Sequence, residues 1–300
     1  MQRNSQTPSP GRNDEVSLRL DIAQRSEVGK VRTENQDFSL VSGGPEGPGG
    51  GALMIVADGM GGHRGGATAS RLAATTVQER FAAGSLENPG KALSAAIERA
   101  NQAVFDHAQA QPDLRGMGTT VSVLYARANR AWFSHVGDSR IYRLRDGSLE
   151  QLTQDHSVVA SMVREGLLTD EEAAVHPRRN VLQRSLGVAP DIEMDSGNDL
   201  ELQPGDTYLL CSDGLHGFVR GESIREALEL PPAEAVGRCI DLAYEAGAPD
   251  NVTAVVCRVE TGPGERPRRR GLRWGWLLVG IGFAGALFWW WSRFGQGAGF

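Results

Sequence analysis

Four aspartates stand beside apolar, strand-like runs of this 300-residue chain. Asp58 and Asp213 each end such a run and precede a glycine, Asp138 comes just after a third run, and Asp250 lies just before a fourth. One Asp-Gly pair is usually a turn. Four carboxylates beside strands too apolar to lie at a sheet edge would, however, repel each other once buried. Such a cluster requires a cationic partner, either arginine or a hard divalent metal ion.

The neighbouring residue types narrow the choice of cation and of ligand. No cluster of histidine or cysteine accompanies the four aspartates in the sequence, which favours magnesium or manganese over zinc. The stretch GKVRTENQD at 29–37 places Arg32 five residues before Asp37. An arginine beside a metal site commonly binds an oxyanion such as phosphate. On spacing alone, a surface salt bridge is the simpler interpretation of Arg32.

The charge of the chain is unevenly distributed. The net charge is −6, but six of the 31 basic residues and only one of the 37 acidic residues follow Pro263, so residues 1–263 carry −11. A body this acidic repels nucleic acid and suits divalent cations. The three cysteines, Cys211, Cys239 and Cys257, show no CxxC spacing. We expect them to be buried free thiols in a reducing compartment.

The elements that must position these residues are predicted to be a mixture of strands and helices. Apolar runs bounded by turn residues predict strands at 38–42, 52–57, 121–126, 131–136, 208–211 and 252–259, and a hairpin over 141–152. Helical spacing of apolar residues predicts helices over 66–82, 89–108 and 232–246. Residues 155–190 contain no clear strand, and their TDEE motif predicts one short helix. An excursion of this length is typical of a lid or recognition flap.

The two ends of the chain differ from its body. Residues 1–15 are polar and expected to be disordered, and 260–273 form a linker rich in proline, glycine and arginine. Residues 274–291, WGWLLVGIGFAGALFWWW, are uncharged and as a helix would span ~27 Å, enough to cross a bilayer core. Tryptophans at both ends suit the membrane interfaces. A buried core helix fits their placement poorly, and an in-plane helix would need a polar face.

The charges on either side of this segment predict its orientation. Five arginines precede it and one follows it. The positive-inside rule therefore places the body in the cytoplasm, and residues 292–300 form a short extracytoplasmic tail. We expect a single-pass protein of the cell membrane that is anchored through its C-terminal helix.

Six motifs in order resemble those of one protein family. GKVRTENQD, VADGMGGH, GMGTT, VGDSRIY, LLCSDGL and APDNVT are spread over residues 16–259. This set resembles the metal-dependent serine/threonine protein phosphatases of type 2C, and in particular their bacterial branch. The resemblance implies that 16–259 is the catalytic domain. It also implies an α+β fold, a four-layer αββα sandwich in which helices flank two antiparallel sheets.

The resemblance assigns a metal-binding role to five residues. Asp58 would bridge two Mn²⁺ or Mg²⁺ ions, and the carbonyl of Gly59 would bind one of them. Asp213 and Asp250 would hold the other ion. Asp138 would contribute, with help from Asp213, to a third and weaker metal position seen in bacterial members.

The remaining implied roles concern the substrate. Asp37 would support the first ion, directly or through water, and Arg32 would bind the phosphate. The implied reaction is direct hydrolysis of phosphoserine or phosphothreonine by a metal-activated water, without a covalent intermediate. Met60 stands where eukaryotic relatives carry a histidine. The acid that protonates the leaving alkoxide is therefore open, with His63, His156 and a metal-bound water as alternatives.

The partners implied by the resemblance are phosphorylated proteins and a cognate serine/threonine kinase. Two other functions fit part of the pattern. A catalytically silent phospho-binding regulator on the same fold would be expected to have lost one of Asp58, Asp213 and Asp250, and all three are present. A two-metal phosphodiesterase or nuclease suits the aspartates, but a body that carries −11 would repel nucleic acid.

Overall fold

The computed structural model describes residues 18–44 and 50–262. The predicted N-terminal segment 1–15, the linker beyond residue 262, the predicted transmembrane helix 274–291 and the tail 292–300 lie outside these residues, as does the side chain of His63. Among the helices within the described ranges, none combines the length and apolar character that crossing a bilayer requires.

The described residues form eleven strands, seven α-helices and one short 3-10 helix at Pro112–Leu114. The strands are β1 (Leu18–Glu27), β2 (Asp37–Gly43), β3 (Ala52–Met60), β4 (Gly118–Thr119), β5 (Val121–Arg127), β6 (Arg130–Val136), β7 (Arg140–Arg145), β8 (Ser148–Gln151), β9 (Asp195–Glu201), β10 (Thr207–Cys211) and β11 (Val252–Thr261). The helices are α1 (Gly62–Ala83), α2 (Pro89–Ala110), α3 (Val158–Arg164), α4 (Asp170–Ala174), α5 (Asp213–His216), α6 (Gly221–Ala227) and α7 (Pro232–Glu245).

The strands build two sheets in which neighbouring strands are antiparallel. One sheet has the order β1-β11-β10-β7-β8, and the other has the order β2-β3-β5-β6-β9, with the short β4 beside β3. The hairpin between β7 and β8 turns at Asp146 and Gly147, whose φ angles of 50° and 77° are those of the predicted two-residue turn.

Alternation along the strands separates three apolar clusters. In β3, Leu53 and Ile55 pack with α1 and α2, whereas Met54 and Val56 face the other sheet. A third cluster joins β10 and β11 to α5, α6 and α7. The layers therefore run helices, sheet, sheet, helices, which is the predicted α+β sandwich of two antiparallel sheets flanked by helices.

Local signals position the helix starts that the sequence predicted. Asn88 accepts a hydrogen bond from the backbone N–H of Lys91 at 3.0 Å, and Pro89 is the first residue of α2. At α4, Thr169 and Glu172 form both bonds of the predicted capping box. The three cysteines are free and buried, as predicted.

One prediction about β3 is wrong. The apolar run was expected to end at Asp58, but β3 continues to Met60. Gly59 and Met60 pair with Thr119 and Gly118 of β4, so the backbone stays extended past the carboxylate. Asp58 is therefore held within a paired strand rather than at a strand end.

Candidate functional site

Six of the seven residues predicted for the site line one pocket of about 370 Å³. The pocket lies where β3 and β10 end and β11 begins. The six residues are Arg32, Asp58, Gly59, Asp138, Asp213 and Asp250. The seventh, Asp37, is buried beside them in β2, where it is the cross-strand partner of Asp58.

The backbone around Asp58 is held by a threonine pair. The N–H of Asp58 donates to Oγ1 of Thr120 at 2.9 Å, and the carbonyl of Asp58 accepts from the N–H of Thr120 at 2.8 Å and from Oγ1 of Thr119 at 2.9 Å. The next residue, Gly59, has no room for a side chain, because a Cβ would lie 2.0 Å from the carbonyl oxygen of Gly66. The hydrogen bonds to the two threonines and the close approach of Gly59 to Gly66 together fix the backbone from which the Asp58 carboxylate enters the pocket.

The other carboxylates reach the pocket from three separate connections. Asp138 lies in the turn between β6 and β7, and Asp213 is the first residue of α5. Asp250 lies just before β11. A Cβ on Gly214 would lie 1.8 Å from the carbonyl oxygen of Asn251, so α5 begins in close contact with the start of β11. This close approach brings Asp213 near Asp250.

Burial makes the carboxylates difficult to ionise together. It raises the pKa of Asp58 and of Asp138 well above the usual aspartate range, and the pKa of Asp213 to about 6. Repulsion between neighbouring carboxylates contributes to these upward shifts of the pKa, for example that of Asp37 acting on Asp58 and that of Asp250 acting on Asp213. The group can be fully ionised near neutral pH only when cations compensate its charge.

Asp37 carries a buried oxygen that nothing in the described chain satisfies. Its Oδ2 accepts a hydrogen bond from Oγ of Ser212 at 2.6 Å, whereas its Oδ1 has no hydrogen-bond partner among the described residues. Burial raises the pKa of Asp37 to about 7. An unpartnered carboxylate oxygen at this depth fits a water or a cation next to it, as expected of a residue that supports a metal.

The donor set fits magnesium or manganese. The pocket offers carboxylate and backbone oxygens, which are the ligands that hard divalent cations prefer. Within residues 18–44 and 50–262, no three acidic, histidine or cysteine side chains converge closely enough to bind one ion on their own. Backbone oxygens such as that of Gly59, together with water, would complete each coordination sphere, as is usual for Mg²⁺.

Arg32 is bonded within the pocket rather than on a remote surface. Its Nη2 donates to Oδ2 of Asp250 at 2.7 Å, and about half of its side chain is exposed. This hydrogen bond raises the pKa of Arg32 above its usual value. The salt bridge that the spacing suggested is therefore present, and it lies at the pocket rather than on a remote surface. Phosphate binding by Arg32 stays a prediction.

The loop that carries Arg32 is anchored by a residue that the sequence analysis missed. The side-chain amide of Asn251 donates to the carbonyls of Val28 and Glu34 at 3.0 and 2.9 Å, and its oxygen accepts from the N–H of Gln36 at 2.9 Å. Asn251 lies in the motif APDNVT, directly after Asp250, so the motif itself is the signal that could have identified it.

Two further lining residues, Asn180 and Leu182, come from the excursion at 155–190. No motif marks them, and only the folded position of this segment brings them to the pocket. An antiparallel bridge between Ser157 and Leu182 closes the segment on itself, and a second bridge joins Leu186 to Thr119. The segment thus contributes part of the pocket wall, which agrees with its predicted nature as a flap.

Three histidines near the pocket are held neutral. Burial lowers the pKa of His135 to about 4 and that of His216 to about 3, and it also lowers the pKa of His156. Nε2 of His216 lies 2.9 Å from the carbonyl oxygen of Asp138, to which it donates. Nδ1 of His156 accepts the N–H of Gly137 at 3.2 Å. His156 is therefore engaged in the structure and poorly suited to protonate a leaving alkoxide.

Fold and pocket together define a two-sheet sandwich with an acidic, oxygen-rich site at one end. Residues 30–237 match the sequence profile of the protein phosphatase 2C family. The chain belongs to this family, which confirms the resemblance seen in its motifs.

Two relatives show how far the similarity extends. The chain is 42% identical over 252 residues to the serine/threonine protein phosphatase PstP of Mycobacterium tuberculosis, covering 81% of this chain but only 46% of that relative. This chain thus spans about half the length of PstP. It is 35% identical to the protein phosphatase PhpP of Streptococcus pneumoniae, covering 79% of this chain and 96% of PhpP.

Solved structures agree with the fold. The crystal structure of the M. tuberculosis phosphatase PstP/Ppp superposes with a TM-score of 0.71 at 41% identity, covering 81% of this chain and 99% of that one. The S. agalactiae serine/threonine phosphatase gives a TM-score of 0.74 at 35% identity, covering 80% and 100%. The catalytic domain of PstP in complex with two manganese ions gives a TM-score of 0.71 at 39% identity, covering 81% of this chain and 100% of that one.

The repulsion within the carboxylate cluster predicts that Mn²⁺ stabilises the fold. At about 100 times its dissociation constant, the ion should raise the free energy of unfolding by about 2.7 kcal/mol and the melting temperature by roughly 5–10 °C. The variant Asp213→Asn should gain much less, because it offers one ionised ligand fewer. Differential scanning fluorimetry with and without EDTA measures both, and Asp241→Asn, an exposed change on α7, should behave like wild type. A wild-type melting temperature that does not respond to Mn²⁺ would contradict the site.

Proposed function

We propose that this protein is a metal-dependent protein phosphatase that hydrolyses phosphoserine and phosphothreonine in proteins. The observation that carries the proposal is one pocket lined by Arg32 and by the carboxylates of Asp58, Asp138, Asp213 and Asp250. Membership of the protein phosphatase 2C family supports it, as do the names of PstP and PhpP as protein phosphatases.

In this proposal, Asp58 and the carbonyl of Gly59 would hold a first Mn²⁺ or Mg²⁺ ion, and Asp213 and Asp250 would hold a second one, with Asp58 between the two positions. Because no three of these side chains converge on one point among the described residues, water would complete each coordination sphere. Asp138 serves a third, weaker position. When bound, the ions activate a water and neutralise charge on the phosphate. The chain's part is to keep these oxygens fixed before the substrate arrives, which Thr119 and Thr120 do for Asp58 by bonding its backbone on both sides.

Arg32 is proposed to bind the phosphate of the substrate. Its guanidinium points into the pocket but is engaged by Asp250 at 2.7 Å, so a phosphate must compete with that carboxylate. Competition is weaker when the charge of Asp250 is compensated by a cation. Arg32 would then present its planar group to two phosphate oxygens, as arginine does in bidentate binding.

Asp37 is proposed to act from behind Asp58, since it is the cross-strand neighbour of that residue. Its Oδ2 is fixed by Ser212 and its Oδ1 is available to a water or an ion. Met60 lines the pocket but carries no proton donor, so it does not protonate the leaving alkoxide.

The proposal extends to the cell membrane and to partners. The uncharged segment 274–291 with its terminal tryptophans, and the arginines that precede it, support a single-pass anchor with the catalytic domain in the cytoplasm. A protein phosphatase needs phosphorylated proteins as substrates, and therefore a serine/threonine kinase that produces them. Recruitment to the membrane would place this chain close to substrates at the cytoplasmic surface.

Activity is expected to depend on Asp58. Asp58→Asn should lower kcat/KM for a phosphothreonine peptide by about 10²-fold or more, because the fixed charge that positions the reacting groups is lost. The measurement is phosphate release with Mn²⁺ present, with Asp241→Asn as the matched control. Wild-type rates in Asp58→Asn would refute the metal assignment, and a fully inactive wild type would favour a silent phospho-binding regulator.

Arg32→Ala should mainly raise KM. Loss of a charged hydrogen bond to phosphate is expected to raise KM for p-nitrophenyl phosphate roughly tenfold or more. Turnover should change far less, since the carboxylates are untouched. Arg25→Ala removes an exposed arginine paired with Glu27 and should leave both constants unchanged. A fall in kcat with KM constant would exclude phosphate binding as the role of Arg32.

The anchor is tested by fractionation of the full-length protein. Wild type should be recovered with the membrane and be released by detergent but not by high salt or carbonate. Phe283→Arg, which places a charge in the middle of the segment at a cost of about 3 kcal/mol, should move a substantial share to the soluble fraction. Recovery of wild type in the soluble fraction would rule out a transmembrane anchor.

A further inference from the structure

His156 is a buried residue between two parts of the pocket wall. On one side lies the turn between β6 and β7, which carries Asp138. On the other lies the returning arm of the flap, which carries the lining residues Asn180 and Leu182; the flap is defined here as residues 155–190, so His156 belongs to its first residues. The sequence motifs leave the role of His156 open.

On the side of the turn, His156 makes two hydrogen bonds to one residue. Its backbone N–H donates to the carbonyl of Gly137 at 2.7 Å, and its ring Nδ1 accepts the N–H of Gly137 at 3.2 Å. Gly137 precedes Asp138 and has a φ of 108°, a conformation that glycine adopts without strain. The reciprocal pair therefore fixes the backbone from which the Asp138 carboxylate enters the pocket.

On the side of the flap, His156 and its neighbour hold the returning arm. The carbonyl of His156 accepts the N–H of Gln183 at 2.7 Å, and Ser157 forms an antiparallel bridge with Leu182. The arm that contains Leu182 is therefore attached to the same short stretch of backbone as the Asp138 turn.

The second ring nitrogen has a separate partner. Nε2 lies 3.1 Å from Oδ2 of Asp195, at the start of β9, and because Nδ1 accepts from Gly137, the ring proton is on Nε2 and points to this carboxylate. Asp195 is also 3.5 Å from Nη1 of Arg184. The two ring nitrogens therefore have different roles. Nδ1 binds the turn at Gly137, and Nε2 fixes the orientation of the ring through Asp195.

We propose that His156 is a positioning residue that fixes the flap arm and the Asp138 turn relative to each other, so that both face the same pocket. The contact on which this role mainly depends is the hydrogen bond that Nδ1 of His156 accepts from the N–H of Gly137. The consequence for catalysis rests on the proposed phosphatase function, whereas the mechanical link does not.

Two substitutions separate the two nitrogens. In His156→Asn, the side-chain oxygen takes the place of Nδ1 and can accept from Gly137, but nothing reaches Asp195. In His156→Gln, the terminal amide reaches the position of Nε2, but no acceptor remains at the position of Nδ1. His156→Ala removes both contacts. His176→Asn is the matched control, because Nδ1 of this flap histidine accepts only the N–H of Arg178, within its own turn.

The first measurement is amide hydrogen exchange in the metal-free full-length protein, followed by mass spectrometry. In His156→Ala and His156→Gln, peptides that contain Gly137 and Gln183 should both exchange about tenfold faster or more, relative to a peptide from β11. His156→Asn should stay within about threefold of wild type at both. His176→Asn should leave both peptides unchanged.

Three results would overturn the proposal. One is faster exchange of the Gly137 peptide in His156→Ala or His156→Gln while exchange of the Gln183 peptide is unchanged, since the turn and the flap arm would then not be linked. Another is rescue by Gln but not by Asn, which would assign the role to Asp195. The third is an equal rise in all peptides, which is general destabilisation. If His156→Ala does not fold, the comparison of Asn with Gln still decides.

The second measurement is steady-state kinetics with Mn²⁺. His156→Gln should raise KM for a phosphothreonine peptide about three- to tenfold more than KM for p-nitrophenyl phosphate, because a peptide extends farther along the flap arm than the small ester does. His156→Asn should restore the wild-type ratio. An unchanged ratio in His156→Gln would overturn the catalytic consequence. An inactive wild type would instead refute the proposed function and leave the exchange result to judge the link.

Discussion

Repulsion among carboxylates that the fold buries at the same end of its two sheets is the constraint on which the rest of the structure depends. Burial, together with repulsion from neighbouring carboxylates, raises the pKa of Asp58 and Asp138 well above the usual range, so the carboxylates are costly to ionise together. The surrounding chain offsets this cost in part. Arg32 donates to Asp250, and Ser212 donates to the buried Asp37. The remaining imbalance favours the binding of cations in the pocket.

Holding such a cluster together requires a rigid scaffold, because each carboxylate comes from a different part of the chain. Arg32 and Asp250 are 218 residues apart in sequence and bonded at 2.7 Å. The three apolar clusters make the sandwich rigid. The glycines allow backbone segments that carry the carboxylates to approach each other closely. Gly59 and Gly214 allow backbone contacts that a Cβ would block. Packing and site are therefore not separate, since loosening the sheets would separate the carboxylates.

The sequence predicted those parts of the site that reside in short motifs. Asp58, Asp213 and Asp250 stand beside long apolar strands, so their place in the fold follows from patterns a few residues wide. The extension of β3 past Asp58 was not foreseen, because β4 is a two-residue strand without a pattern of its own. Asn180 and Leu182 could not be foreseen either. Their contact with the pocket depends on how a 36-residue excursion folds back, and no local propensity encodes that.

In the proposed function, the pocket would recognise a phosphate group that all phosphoproteins share, so selectivity would come from the surface around it. The flap is placed to provide that surface. The base of the flap is attached to the sandwich, where the guanidinium of Arg140 donates three hydrogen bonds of 2.8–3.2 Å to the carboxylate of Asp155. Farther out it exposes apolar side chains, with Leu167 62% and Val175 78% exposed. Exposed apolar side chains of this kind can contribute to the contact with a protein substrate. In the proposed function, a flap that is anchored at its base and apolar beyond it would contribute to the choice of substrate, while the carboxylates beneath keep a single geometry.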